Sequence, residues 1–284
     1  MSAKTVALLH PGEMGAAVGA CLAAAGHRVV WASERRSGAT RTRAAAFEDR
    51  GSLAAALQGA DFAFSVCPPH GAAALARRVA ATHYRGVFVD CNAIAPETAR
   101  KVCAIMEASG ARFVDGGIIG PPPVQPGKTR LFLSGGPADE VAALFAGTAL
   151  EALALRGSAG AASALKACYA AWTKGAIALL AAIRTLARHE GVEAALLEEW
   201  RRSQPEAPKR SEVVTVQARK AWRWVGEMEE IGRALRAAGL PEGFGLAAAD
   251  VYRALERFKD SAGDPSLDEV IAALGRPKTP ARDA

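Results

Sequence analysis

Two regimes of hydrophobic patterning divide the chain. Up to about residue 157, short continuous apolar runs at 5–9, 28–32, 61–67, 86–91, 112–118, 129–134 and 152–155 alternate with stretches of helical period such as 71–81 and 96–109. Apolar runs this short, rich in Val, Ile and Phe and without polar alternation, predict strands buried on both faces. Strands alternating with helices build βαβ units and a parallel sheet. After Gly157 the strand signal stops. A 3.6-residue period predicts helices over 159–189, 193–203, 211–238, 246–259 and 266–274, joined at Gly191, Pro205, Pro208, Gly239-Leu240-Pro241 and Asp264-Pro265. The pattern predicts an α/β, doubly wound sheet domain over 1–157 and an all-helical domain over 158–284, with a long interdomain helix from about residue 159. Residues 276–284 read as a frayed tail.

Composition narrows the classes. Half of the 284 residues are hydrophobic, which suffices for two cores. The 35 basic residues exceed the 29 acidic ones, giving a formal charge of +6. The surplus is scattered, apart from five arginines between Arg35 and Arg50. A surplus this mild reads as solvated surface ahead of a nucleic-acid stripe, and it also suits a phosphorylated small molecule. The five cysteines, Cys21, Cys67, Cys91, Cys103 and Cys168, show neither CxxC nor metal-ligand spacing. They predict free thiols in a reducing compartment and no metal site. The apolar run over 175–183 is well short of the ~20 residues of a bilayer span. The stretch before His10 is too short for a signal peptide. These features predict a soluble cytoplasmic protein with no nucleic-acid or membrane partner.

Candidate chemistry begins after the first strand, at His10-Pro11-Gly12-Glu13-Met14-Gly15. A dinucleotide loop needs small residues for a tight turn, for close approach to the pyrophosphate and for helix–sheet packing. Gly12 and Gly15 meet the last two needs, with Glu13 and Met14 opening a helix whose N-terminal N–H groups face the phosphates. His10 replaces the usual first glycine. The same residues also fit a strand-turn-helix with no ligand. At the second strand end, an NAD site usually carries an acidic residue for the ribose diol. Ala32-Ser33-Glu34-Arg35-Arg36 stands there instead, so Ser33, Arg35 and Arg36 point to a ribose 2′-phosphate and to NADP(H) ahead of NAD(H). Glu34 keeps NAD(H) open, and a plain exposed basic loop remains the alternative.

These motifs resemble the β-hydroxyacid dehydrogenases, which include 3-hydroxyisobutyrate dehydrogenase and the 6-phosphogluconate dehydrogenases, with imine reductases as similar relatives. The family's GxGxMG and AGHxVxVxNR elements are similar to residues 10–15 and to Ala25-Gly26-His27-Arg28-Val29-Val30-Trp31. Cys67-Pro68-Pro69 resembles the third-strand end. Residues 90–98 resemble DxSTxxPxT, and Asp115-Gly116-Gly117-Ile118-Ile119-Gly120 the substrate-binding DGGVSGG. Residues 160–166 resemble the catalytic lysine element. Five motifs in family order cover residues 5 to about 175, and the helical remainder reads as a shorter branch. Asn92-Ala93 replaces the Ser-Thr pair, Ile119 the serine, and Ala170 the asparagine that accompanies the lysine.

The resemblance implies a Rossmann-type domain and hydride transfer between nicotinamide and a small hydroxy acid or its keto or aldehyde partner. Lys166 is the implied general acid/base. A lysine with its stem on the core and its head in water is the structural alternative. At helical spacing, Lys166, Tyr169, Thr173 and Lys174 share a face and predict a lined cleft. Asn92 is a second catalytic candidate, or a residue that satisfies backbone before the helix at Pro96. Gly116, Gly117 and Gly120 are candidates for an anionic substrate, or only for a turn. Cys67, Pro68 and Pro69 are placed under the nicotinamide, with His70 structural. Trp222-Arg223-Trp224 is either a site wall or core. The changed substrate positions keep two alternatives open, an imine reductase-like enzyme and a non-catalytic NADP-binding regulator. Apolar helical faces and the resemblance together predict a homodimer.

Overall fold

The computed structural model describes residues 2–275, which form two compact units meeting at Cys168 and Tyr169. The first contains, in chain order, β1 (Thr5–Leu8), α1 (Glu13–Ala24), β2 (Arg28–Trp31), α2 (Gly38–Arg43), β3 (Glu48–Asp49), α3 (Leu53–Leu57), β4 (Phe62–Ser65), α4 (Ala72–Ala80), β5 (Val87–Asp90), α5 (Pro96–Ala108), β6 (Arg112–Ile119), β7 (Thr129–Ser134), α6 (Ala138–Ala143), β8 (Leu150–Ala154) and the start of α7 (Ala161–Ala170). The strands make one sheet in the order β3-β2-β1-β4-β5-β6-β7-β8. All pairs are parallel except β6 with β7. The order reverses between β1 and β4, the position at which open α/β sheets leave a crevice beyond their carboxyl ends.

Strand alternation explains the unbroken apolar runs. Val6, Leu8, Phe62, Phe64, Val87 and Val89 enter one core, beneath Val18 and Leu22 of α1. Their neighbours Ala7, Leu9, Ala63 and Phe88 enter the opposite core with Leu75 and Val79 of α4 and Val102 and Met106 of α5. A period of two divided between two buried faces leaves no solvent-facing side to the sheet, so apolar and polar residues do not alternate. All seven anticipated strands form, shorter or shifted by one to two residues at several ends. β3 is an addition: two acidic residues paired to the outer edge of β2 carry no apolar signal.

The second unit is helical. A π-turn at Ala171–Gly175 leads into α8 (Ala176–His189), followed by α9 (Glu193–Ser203), α10 (Ala207–Ala218), α11 (Val225–Ala237), α12 (Gly243–Ala254) and α13 (Leu267–Leu274). The anticipated helix over 211–238 is two helices, separated by a 3₁₀ turn at Ala221–Arg223. The break sets Trp224 edge-on against Tyr252 at 5.2 Å, while Trp222 lies between Arg223 and Lys259. α10 starts before the anticipated position because Pro208 sits in its first turn, where a missing N–H costs nothing. Ser266 and Glu269 close a capping box on α13. Buried Arg184 donates to Glu193 and Ser211, tying α8 to α9 and α10.

The apolar-run count over 175–183 understated one helix. Ala161–His189, π-turn included, is long and apolar enough by length and composition to cross a membrane. Core helices of water-soluble folds pass the same measure, and 33% of its apolar window is buried. The tail expectation at 276–284 lies outside the described residues.

Phe64 is fully buried, with Phe145 edge-on at 5.8 Å. Phe64→Ala is expected to lower stability by about 3–5 kcal/mol. Urea unfolding should show this as a lower midpoint with an unchanged slope.

Candidate active site

The turn after β1 uses its two glycines differently. Gly12 donates its N–H to the His10 carbonyl at 2.8 Å, and its own carbonyl accepts the Ala16 N–H at 2.8 Å. At Gly15 a Cβ would stand 2.1 Å from the His10 oxygen, so the turn itself demands glycine. Gly12 has an ordinary φ of −68°, and a Cβ there would meet no protein atom within 4 Å. The space over Gly12 therefore stays open beside the first turn of α1, whose N–H groups have no helical acceptor. Exposed Glu13 and half-buried Met14 complete that turn.

His10 leaves its Nδ1 buried without a hydrogen-bond partner. Desolvation, followed by the charges of Arg36 and Arg78, pulls its pKa down to about 4, so the ring is neutral at pH 7. Arg36 departs from the expected placement at the second strand end. It donates to the Leu9 carbonyl at 2.9 Å, over the end of β1, and its Nε is buried without a partner. The chain turns there because Arg35 adopts a left-handed φ of +56° and Ser37 caps α2. Two orphaned nitrogens beside an open glycine turn fit a polar, anionic ligand.

The β2 end is organised by hydrogen bonds. The Ser33 N–H donates to Asp49 at 3.2 Å, and its carbonyl accepts from Arg41 at 2.9 Å. Arg35 is exposed. The Glu34 carboxylate accepts from the Leu53 N–H at 3.2 Å and from Arg78 at 3.3 Å. Arg41 escaped the sequence analysis, since it lies in the short α2, which has no apolar face. Its only signal was membership of the arginine group at 35–50.

Farther along the carboxyl edge, four buried polar residues stand in register across β4, β5, β6 and β7: Ser65, Asp90, Asp115 and Ser134. Asn92 braces this row. Its Nδ2 donates to Ser65 Oγ at 2.8 Å and its Oδ1 accepts the Cys67 N–H at 2.5 Å. With 3% of its surface exposed, it joins two strand ends, as in the backbone-satisfying of its two sequence readings. Burial, then the charge of Asp90, pushes the Cys67 thiol up to about 11. Pro68 and His70 are exposed, and Pro69 begins a 3₁₀ turn through Gly71. Burial raises Asp90 to about 7, its Oδ2 having no hydrogen-bond partner.

The glycines after Asp115 pack closely against protein atoms, with no room for a side chain. A Cβ on Gly116 would lie 2.9 Å from Cys91 Sγ. One on Gly117 would lie 2.7 Å from the Ala162 carbonyl and 3.1 Å from Lys166 Cβ, and one on Gly120 2.4 Å from the Lys128 carbonyl. Gly117 thus lets α7 lie directly on β6 and roots half-buried Lys166 two residues beyond the polar row.

The four-residue stripe does not hold, because its face assumed an unbroken 3.6-residue period and the π-turn interrupts it. Tyr169 is exposed, and its carbonyl accepts from the Thr173 hydroxyl at 2.9 Å. Lys174 pairs with Glu227 and lies over the Trp224 ring, inside the helical unit. Among the described residues, no group of three His, Cys, Asp or Glu is placed to hold a metal ion.

A family model described as the NAD binding domain of 6-phosphogluconate dehydrogenase matches residues 5–156, more than half of the chain. The chain belongs to this family of NAD(P) oxidoreductases. A second model, a domain of unknown function (DUF1932), matches residues 187–255 of this 6-phosphogluconate dehydrogenase-like protein. No curated protein matches. Among solved structures, the conserved protein MTH1747 of unknown function, described as structurally similar to 3-hydroxyacid dehydrogenases, is 27% identical, with a TM-score of 0.67 over 90% of this chain and 99% of its own. The 3-hydroxyisobutyrate dehydrogenase of Mycobacterium tuberculosis, solved with L-serine, is 22% identical, with a TM-score of 0.69 over 97% and 100%. A reductive aminase from Aspergillus terreus, in complex with NADPH4, cyclohexanone and allyl amine, is 18% identical, with a TM-score of 0.56 over 96% and 100%. The Rossmann-type sheet followed by helices is the fold these structures share with it.

His10 and Asp90 give opposite pH dependences. For His10, the unfolded chain takes up its proton near 6.5 and the folded one near 4, so stability falls by about 3 kcal/mol as pH drops through that window. For Asp90, the folded state keeps its proton up to about 7 against 3.8 unfolded, so stability falls by about 4 kcal/mol as pH rises through that range. Relative to the parent chain, His10→Gln should gain stability as pH falls from 6.5 to 4, and Asp90→Asn as pH rises from 4 to 7. Urea midpoints across pH check both signs.

Proposed function

We propose that this chain is an NADPH-preferring enzyme that interconverts a small, anionic hydroxy acid and its keto or aldehyde partner, with Lys166 as general acid/base. The observation that carries this reading is the root of Lys166, packed on Gly117 beyond the carboxyl ends of β4 and β5. The nucleotide turn after β1 opens at the same edge of the sheet. The bound nicotinamide would supply or accept the hydride. Lys166 would move the proton at the substrate oxygen, and a positioned group of this kind contributes roughly 10²–10⁴-fold. Gly12 and the first turn of α1 would hold the pyrophosphate.

The preference for NADPH rests on the β2 end. Glu34 is held by Leu53 and Arg78, while Ser33, Arg35 and Arg41 leave two guanidinium groups for a 2′-phosphate. A cytoplasmic location fits this reading: the fold is that of soluble dehydrogenases, and NADPH is the currency of reducing compartments. Leu179 and Leu186, seven residues apart on α8, are each 61% exposed, which supports burial in a homodimer.

Lys166→Ala should lower kcat by about 10²–10⁴-fold and leave the NADPH Kd, from fluorescence titration, within about twofold. The assay pairs NADPH with small aldehydo and keto acids such as succinic semialdehyde. Full turnover in that variant refutes the lysine's role, and nucleotide binding without turnover on any acid favours the regulator. Arg35→Ala and Arg41→Ala should each cut the NADPH-to-NADH affinity ratio about tenfold, and an unchanged ratio refutes the phosphate site. A monomer mass by light scattering would remove the dimer.

A further inference from the structure

We infer that Asp115 is a positioning residue for Lys166: its buried carboxylate anchors the N-terminus of α7 to the sheet and so fixes where the lysine is held. The inference rests on the catalytic reading of Lys166 and extends it to a residue that touches neither substrate nor cofactor.

Every N–H at the start of α7 has an identified acceptor, and α7's own sequence supplies few of them. Gly160, at the cap position, has no side chain. Its φ of +102° suits glycine, and a Cβ would lie 2.9 Å from an Arg100 nitrogen. The cap is supplied from 45 and more residues away. Asp115 Oδ2 accepts the Gly160 N–H at 2.9 Å and the Ser163 N–H at 2.9 Å. Its Oδ1 accepts the Ser163 hydroxyl at 2.5 Å. Ser134, its register partner, donates to Oδ2 at 3.2 Å and accepts the Ala162 N–H at 3.0 Å. The Ala161 N–H bonds Ser158, and the Ala164 N–H returns to Gly160. A carboxylate at this end also complements the helix dipole.

Lys166 follows Ser163 by three residues, nearly one turn, so it rises from the anchored face. Its Cβ is pressed toward Gly117, two residues after Asp115 on the same strand. The lysine is therefore fixed at two points of one strand, by the carboxylate at its helix start and by the glycine at its root. Freeing the helix start would let the amine wander on the scale of an ångström, which costs catalysis on the order of 100-fold.

The test uses the full chain and follows NADPH-linked reduction of succinic semialdehyde. Asp115→Ala should lower kcat about 100-fold, with KM and the NADPH Kd within about threefold. Asp115→Asn keeps one oxygen for the Gly160 and Ser163 N–H groups, and its amide donates to Ser163 Oγ. It should therefore recover most of the loss. In a Lys166→Ala background, Asp115→Ala should change the residual rate less than about twofold, because a positioning residue acts only through the lysine. A loss that multiplies in full in that background overturns the inference, as does wild-type kcat in Asp115→Ala. If Asp115→Ala does not fold, Ser163→Ala removes one anchoring bond and is read in the same cycle. Hydrogen exchange needs no substrate: amides of 162–166 should exchange at least about tenfold faster in Asp115→Ala, with α1 unchanged, and equal rates overturn the anchor. Full turnover in Lys166→Ala alone overturns both the proposed function and this inference. Loss in Lys166→Ala with a silent Asp115→Ala overturns this inference only.

Discussion

A carboxylate stripped of water must find donors, and the first unit is arranged around that demand. Asp90 and Asp115 are register neighbours in adjacent strands, both fully buried. Asp115 meets the demand with four hydrogen bonds, three of them from residues 160 and 163 at the start of α7. Asp90 meets it only in part, through the Asn92 N–H, and keeps its proton to near neutrality. One acid is thereby committed to holding a helix, and the other is left with an unused oxygen beside it. The path of the chain beyond the sheet follows from the first of these, because α7 begins where its cap is waiting.

The nucleotide turn shows the same division between what the protein needs and what it leaves open. Gly15 is required by the His10 carbonyl, whereas nothing in the protein requires Gly12. Gly12 thus lies beside open space, next to a helix start and two unpartnered nitrogens. His10 completes the turn without a first glycine because its φ-permissive role is unnecessary here: the bend is closed by its own carbonyl accepting from Gly12.

Much of this was legible in the residues. Continuous apolar runs identified the strands, since a doubly covered parallel sheet has no polar face, and β3 escaped because two acidic residues at an edge leave no hydrophobic trace. Helix periodicity located the second unit but ran through Arg219–Trp224, where packing of Trp224 on Tyr252 outweighs local propensity. At the sheet edge, the strand-turn-helix over 5–24 was readable because the local motif carries the geometry of its two glycines. The hydrogen-bond partners of Asn92 and Asp115 were not legible, for one physical reason. A strut between strand ends and a cap supplied from another element are tertiary relations, and their partners lie 25 to 48 residues away. Lys174 was misplaced because a π-turn shifts helical phase without a composition signature.

The five free cysteines have a practical consequence. Burial pushes the thiols of Cys21, Cys67, Cys91 and Cys103 upward, toward the unreactive protonated form. Cys168 alone among them is exposed, and it lies two residues beyond Lys166 on α7. The native chain thus carries its own attachment point for a maleimide fluorophore or spin label, within one helical turn of the lysine, and local motion there becomes observable without engineering a new thiol.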